Sequence, residues 1–183
     1  MTKLTHSTNS ESSLQNESLP HSTLPLHLGD AMSLTETSIS IPGNFSPLER
    51  ILLSANGSLQ RVLSAYFNKP IKIVIVKNVL RGVSGHVPAT YDREVHIFCE
   101  AKMVCKATSV IEVSEPRFIK MLEDDSVGVG QLFRYISVLP EFKLLEFGRT
   151  KGCTAIYRIY TLATPGITCT IQEDFAPNFL DQV

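Results

Sequence analysis

The spacing of apolar and polar residues divides the chain at about residue 45. Residues 1–44 are rich in Ser, Thr, Asn and Leu, carry scattered charges and show no hydrophobic period. A segment of this composition buries too little apolar surface to offset the cost of ordering, so we predict a disordered polar leader. Residues 45–183 show helical and strand periods, and we predict that they form a single domain.

Helical spacing occurs in two pairs of segments. Ser46-Pro47-Leu48-Glu49 has the residues of a capping box, with a proline suited to the first helical position, and Asn56-Gly57 ends this helix. A second helix is predicted from Ser58 to about Phe67. Further along the chain, the pattern predicts a helix from Ser114 to about Glu123 and a short helix from Gln131 to Ser137.

The remaining apolar runs are typical of strands, because they are short and rich in branched residues. Val83 to Asp92 is predicted to be a loop, and Thr164-Pro165-Gly166 has the residues of a type II turn between the last two strands. Short connections favour antiparallel pairing, so we expect an α+β domain with helices packed against an antiparallel sheet. The predicted strands are Ile71–Arg81, Arg93–Ala101, Met103–Val113, Lys143–Phe147, Thr154–Leu162 and Ile167–Phe175.

Three charged residues fall on the apolar faces of these strands. Glu173 alternates with the apolar residues of the last strand, and Arg93 alternates with those of the second. Arg158 lies on an apolar face of the fifth strand, where Tyr160 is one of its neighbours. A buried carboxylate requires a partner, so Glu173 is a candidate general acid, a hydrogen-bond acceptor for a substrate, or a structural partner of Arg93 or Arg158. Arg93 either grips a carboxylate through two parallel hydrogen bonds or starts an edge strand with its tip in solvent. Together, Arg93 and Glu173 suggest a closed pocket for an anionic ligand.

The overall composition narrows the class of ligand. The formal net charge of −1 gives no basic field, so nucleic acid is not an expected partner, and no apolar run reaches the length of a membrane span. The N-terminal segment lacks the continuous apolar stretch of a secretion signal, so we expect a cytoplasmic protein. In that compartment the four cysteines are expected to be reduced and buried: Cys99, Cys105, Cys153 and Cys169.

Two familiar kinds of site are not indicated. The histidines show no metal-ligand spacing, so no metal site is expected. Gly128-x-Gly130 lacks both the third glycine and the preceding strand of a dinucleotide fingerprint. It indicates instead a glycine-permitted helix start, which would also present backbone N–H groups to an anion.

Five short stretches with a consistent order and spacing give a more specific indication. They resemble the chorismate lyase (chorismate pyruvate-lyase) family, particularly its shorter cyanobacterial, plastid and actinobacterial members, over about residues 45–180. The stretches are LERILL and NGSL within residues 48–59, REVHI at 93–97, ATSVI at 107–111, GVGQLF at 128–133, and YRIY at 157–160 with QEDF at 172–175.

The resemblance implies a six-stranded antiparallel sheet flanked by helices, with a small internal cavity under helical flaps. It implies a monomeric enzyme that removes pyruvate from chorismate to give 4-hydroxybenzoate without a metal or organic cofactor. The substrate arginine of the family falls on Arg93 and its essential glutamate on Glu173. The residue of the family's helical flap falls on Leu59. The family also has a stretch with the pattern L-G-(R/Q)-x-(L/F), and the residue before its glycine falls on Val129.

Two departures from the family pattern bear on the choice of substrate. The family often has Thr before the glutamate, where this chain has Gln172, and Pro-Leu-Gly where this chain has Gly128-Val129-Gly130. Two alternatives to chorismate lyase activity stay open. One is a non-catalytic sensor of aromatic acids, since the same fold forms the effector-binding half of certain bacterial transcription regulators. The other is a related lyase of secondary metabolism.

Overall fold

The computed structural model of the protein describes residues 30–32, 35–83, 85–123, 128–152 and 154–181. The predicted leader up to residue 29 lies outside the described residues, as does Cys153. Within the described ranges the protein is an α+β structure with four helices and a six-stranded antiparallel sheet. The fold class predicted from the pattern is therefore confirmed.

A two-stranded hairpin precedes the main domain. β1 (Asp30–Met32) pairs antiparallel with β2 (Thr37–Ile39), within the segment predicted as leader. Ile41, two residues after β2, is buried and belongs to the main hydrophobic core. This isoleucine therefore connects the segment before residue 45 to the domain.

The first two helices begin and end as the sequence indicates. α1 (Pro47–Ser54) has a complete capping box, in which the Glu49 amide donates to Ser46 Oγ over 3.3 Å and the Ser46 amide donates to Glu49 Oε2 over 2.7 Å. A turn with Gly57 at a φ of +77° leads into α2 (Leu59–Phe67). Glycine suits this turn because other residues rarely adopt a positive φ.

The main sheet has six strands in the order β3-β4-β5-β8-β7-β6, and every neighbouring pair is antiparallel. Between β5 and β6 the chain forms α3 (Pro116–Glu123) and α4 (Val129–Tyr135). The Pro165-Gly166 turn joins the last two strands, and Gly166 has a φ of +92°, as a type II turn requires. The strands are β3 (Ile71–Arg81), β4 (Ala89–Cys99), β5 (Lys102–Val113), β6 (Glu141–Arg149), β7 (Ile156–Thr164) and β8 (Ile167–Phe175).

The start of β4 differs from its prediction. The predicted loop extended to Asp92, but the strand begins at Ala89 because its first residues pair with the end of β3. Tyr91 is buried there, and Arg81 forms an ion pair with Asp92 at 2.6 Å. Arg93 therefore lies inside an interior strand, and the reading that placed it at the start of an edge strand is wrong.

One face of the sheet holds the core. The helices pack on the face where side chains of β4, β5, β7 and β8 are buried, and alternate side chains of these strands are partly exposed on the outer face. Strand register places two rows of residues side by side across this inner face. One row is Arg93, Ser109, Ile171 and Tyr160, and the other is Val95, Ala107, Glu173 and Arg158.

Candidate functional site

Glu173 lies near the end of β8 on the inner face, and only 4% of the residue is exposed. Its two carboxylate oxygens accept hydrogen bonds from different residues of β7. Arg158 Nε donates to Oε2 over 2.6 Å, and the Tyr160 hydroxyl donates to Oε1 over 2.8 Å. The structural pairing with Arg158 considered from the sequence therefore exists, and a tyrosine completes it.

Arg158 is fully buried and connects the sheet to the end of α1. Its Nη1 donates to the carbonyls of Leu53 and Ala55, which lie where helical carbonyls have no partner within the helix. Burial is the largest single influence on Arg158 and opposes its charge, but the interactions with Glu173, Tyr160 and Cys105 together outweigh burial and raise the pKa of the guanidinium. Arg158 therefore stays positive, and it fixes both the carboxylate and the C-terminal end of α1.

Tyr160 is held on two sides. Its hydroxyl is bound to Glu173, and the Arg158 guanidinium lies 4.4 Å from the centre of its ring. Burial raises the pKa of Tyr160 well above its ordinary value, the negative charge of Glu173 adds to this rise, and the positive charge of Arg158 opposes it. The phenol is therefore protonated at neutral pH.

Two thiols lie in the same interior. Burial raises the pKa of Cys105 well above its usual range, with a further contribution from the charge of Glu173. Burial also raises the pKa of Cys169 to about 12, while the charge of Arg93 opposes that rise. Cys99, Cys105 and Cys169 are all buried with free thiols, as the sequence indicated. At neutral pH, Cys105 and Cys169 act as small apolar side chains.

A pocket of about 70 Å³ lies between the sheet and the helices, above the two rows. It contains three of the four residues that the sequence assigned to a site, namely Leu59 from α2, Val129 from α4 and Glu173 from β8. Its lining is otherwise largely apolar, as is common for small-molecule sites. The other lining residues are Gly57, Gln60, Ile73, Val95, Ile97, Ala107, Ser109, Gly128, Gly130, Tyr160 and Ile171.

Glycines let the helices close over this pocket. A Cβ on Gly130 would lie 2.7 Å from the carbonyl oxygen of Gly57, and a Cβ on Gly128 would lie 2.7 Å from Ile73 Cδ1. The carbonyl of Gly57 belongs to the backbone, so a side chain at position 130 would force the helix away, whereas Ile73 Cδ1 ends a flexible side chain and can shift. Gly130 therefore allows α4 to approach the turn between α1 and α2.

Arg93, the fourth predicted site residue, is buried at the end of one row, with 2% exposed. It faces the same side of the sheet as Glu173, and strand spacings separate their Cα atoms by about 12 Å. Its strand neighbour Ser109 lines the pocket, but Arg93 is not among the pocket's lining residues. The structure thus places Arg93 beside the pocket and Glu173 inside it.

Gln172, the departure next to the glutamate, lies on the opposite face of the sheet. Its amide nitrogen donates to both carboxylate oxygens of Asp174 at 3.1 Å, and its side chain lines an open groove on the outer face. The side chain at position 172 therefore does not contact the pocket around Glu173.

Tyr160 is the site residue that sequence reasoning did not identify. It appeared there only as an apolar neighbour of Arg158 on the same strand face. The available signal was that Arg158 and Tyr160 lie on one apolar face of β7 and that Glu173 lies on the apolar face of β8, but the contact depends on the register between the two strands. That register is a property of the folded sheet.

Comparison with protein-family models and with curated proteins gives no match for this chain. Among the described residues, no group of three or more His, Cys, Asp or Glu side chains is arranged to hold a metal ion. None of the helices in the described ranges is long and apolar enough to cross a membrane.

Proposed function

We propose that this protein is a cofactor-free lyase that removes pyruvate from chorismate to give 4-hydroxybenzoate. The observation that carries the proposal is that Leu59, Val129 and Glu173, which are far apart in sequence, line one pocket. They were singled out together by the resemblance to chorismate lyases. Arg93 supports the proposal because it is buried on the same face and its neighbour Ser109 borders the pocket.

The chemistry of chorismate fits these residues. Chorismate carries two carboxylates and a ring that becomes aromatic when the enolpyruvyl ether bond breaks and a ring proton is lost. The reaction is strongly downhill, so the protein mainly has to orient the substrate and assist proton movement. Arg93 binds the ring carboxylate with its planar guanidinium, and Glu173 lies at the other end, near the ether oxygen and the C4 proton.

The pocket is too small to accept the substrate without movement of its walls. A volume of 70 Å³ is smaller than the cavity of about 150 Å³ that accommodates benzene in another protein. Binding of a substituted ring therefore requires the covering segments around Leu59 and Val129 to move outward.

The test is to incubate the purified protein with chorismate and to measure pyruvate release together with product identity by chromatography. Pyruvate and 4-hydroxybenzoate in equal amounts are expected. Glu173→Gln keeps the shape of the side chain and should reduce turnover at least 100-fold, in line with the usual contribution of a general acid or base. Glu146→Gln is the matched control, because Glu146 binds Tyr157 on the exposed side of β6 and β7. Wild-type protein without turnover, or full turnover by Glu173→Gln, would refute the proposal.

A non-catalytic module that binds aromatic acids is the second candidate. It is favoured by one observation, namely that both oxygens of Glu173 are already bound by Arg158 and Tyr160, as in a structural ion pair. The same incubation separates the two candidates, since a binding module would be stabilised by 4-hydroxybenzoate without releasing pyruvate from chorismate.

A further inference from the structure

Tyr160 and Glu173 together expose two proton-carrying groups to the same pocket. Both side chains line it, one from β7 and one from β8, and their oxygens are 2.8 Å apart. Arg158 fixes both of them, through a hydrogen bond to the carboxylate and through its position 4.4 Å from the tyrosine ring. A phenol and a carboxylate joined by a hydrogen bond of this length have a direct path for a proton to pass between them.

Removal of pyruvate from chorismate requires both a proton acceptor and a proton donor. As the C4–H bond breaks, its electron pair forms the C3–C4 double bond of the aromatic ring. In the same step the C3–O bond breaks, and its electrons stay on the oxygen of enolpyruvate. One group must take the C4 proton, and one group must protonate that oxygen.

We infer that Tyr160 is the proton donor to the leaving enolpyruvate oxygen and that Glu173 is the proton acceptor at C4. This inference rests on the proposed lyase function. Glu173 then returns the proton to the Tyr160 phenolate across their hydrogen bond. The protons balance, because one leaves C4, one reaches the leaving oxygen, and the enolpyruvate converts to pyruvate by tautomerisation.

The charges around Tyr160 favour this order of events. The groups that act on its hydroxyl are Glu173 from β8, Arg158 from β7 and Cys105 from β5. Burial is the largest cause of the raised pKa of Tyr160, and Glu173 adds to that rise while it is negative. After Glu173 gains the C4 proton that effect ends, whereas the positive charge of Arg158 continues to lower the pKa. Tyr160 therefore becomes a stronger acid at the moment when the leaving oxygen needs a proton.

The test compares pyruvate release by wild-type protein, Tyr160→Phe and Tyr157→Phe. Tyr157 is a matched control, since it lies on the same strand and donates to Glu146 over 2.8 Å on the outer face. We expect kcat of Tyr160→Phe to fall by about 100- to 10,000-fold. Binding of 4-hydroxybenzoate should change by less than about threefold, and Tyr157→Phe should resemble wild type.

Failure of the inference and failure of the proposed function give different results. Wild-type protein that releases no pyruvate overturns both. Active wild-type protein with Tyr160→Phe within fivefold of its kcat overturns only the role of Tyr160. A fluorinated tyrosine at position 160 keeps the ring and the hydroxyl, so it decides the matter even when Tyr160→Phe does not fold. Loss of the proton of Tyr160 should lower kcat at high pH. The fluorinated phenol is more acidic, so its decline in kcat should begin at a lower pH than that of wild type, and an unmoved decline overturns the inference.

Discussion

The buried pair of Arg158 and Glu173 should dominate the response of this protein to single substitutions. Arg158→Met removes a fully buried guanidinium that binds Glu173 and the carbonyls of Leu53 and Ala55. Methionine fills most of the volume, so the cost arises chiefly from the carboxylate left buried without its cation. Breaking one side of such a pair costs about 3–5 kcal/mol. That is a large part of the 5–15 kcal/mol of stability typical of a domain.

Removing both charges should cost less than the two single substitutions together. In Arg158→Met/Glu173→Leu no unpaired charge is left in the core, and buried pairs replaced by apolar residues are often close to neutral in stability. The Tyr160 hydroxyl and the helix carbonyls do lose partners, at about 1–3 kcal/mol for each buried group left unsatisfied. We therefore expect the double variant to be more stable than Arg158→Met, with a favourable coupling energy of about 2 kcal/mol or more.

Urea unfolding followed by circular dichroism at pH 7 measures these free energies, provided that the m-value is unchanged. Arg117→Met serves as control, because Arg117 forms an exposed ion pair with Glu115 and such pairs contribute about 0–1 kcal/mol. A loss below 1 kcal/mol for Arg158→Met, or a double variant with the full sum of both losses, would refute the reasoning.

Three further predictions follow from the same core and pocket. Gly130→Ala should lower the free energy of unfolding by about 1–3 kcal/mol through the clash with Gly57, whereas Gln131→Ala on the exposed side of α4 should change it little in the same urea assay. Cys169 should resist thiol reagents at pH 8 until the protein is unfolded, as followed by mass spectrometry of labelled peptides. Because the pKa of the Cys169 thiol is raised from 9.0 to about 12, the stability that this group contributes is complete below pH 9 and declines as the pH rises toward 12. In Cys169→Ala the free energy of unfolding, measured with urea, should therefore decline less steeply at alkaline pH. Arg93→Lys should weaken binding of 4-hydroxybenzoate about tenfold in calorimetry, since an ammonium does not form two parallel hydrogen bonds to a carboxylate; unchanged affinity would contradict its assignment to the ring carboxylate.

Local chemistry was sufficient to predict much of this fold. The capping box at Ser46 and Glu49, the glycine at position 57 and the Pro165-Gly166 turn are short-range signals, and each marks an element boundary in the structure. Alternation along β8 also placed Glu173 correctly on the buried face. These features depend on residues within a few positions of one another, so the sequence by itself determines them.

Features that depend on strand pairing could not be predicted in the same way. The early start of β4 results from its ladder with β3, and the contact of Tyr160 with Glu173 results from the register of β7 against β8. Both bring together residues whose separation along the chain gives no local signal. The sequence pattern placed Glu173 and Arg93 on apolar strand faces. Only the tertiary structure determined that Arg158 and Tyr160 bind Glu173, while Arg93 lies beside the pocket. The physical reason is that a buried charge takes the partner that folding brings nearest, and that choice is made by register and packing.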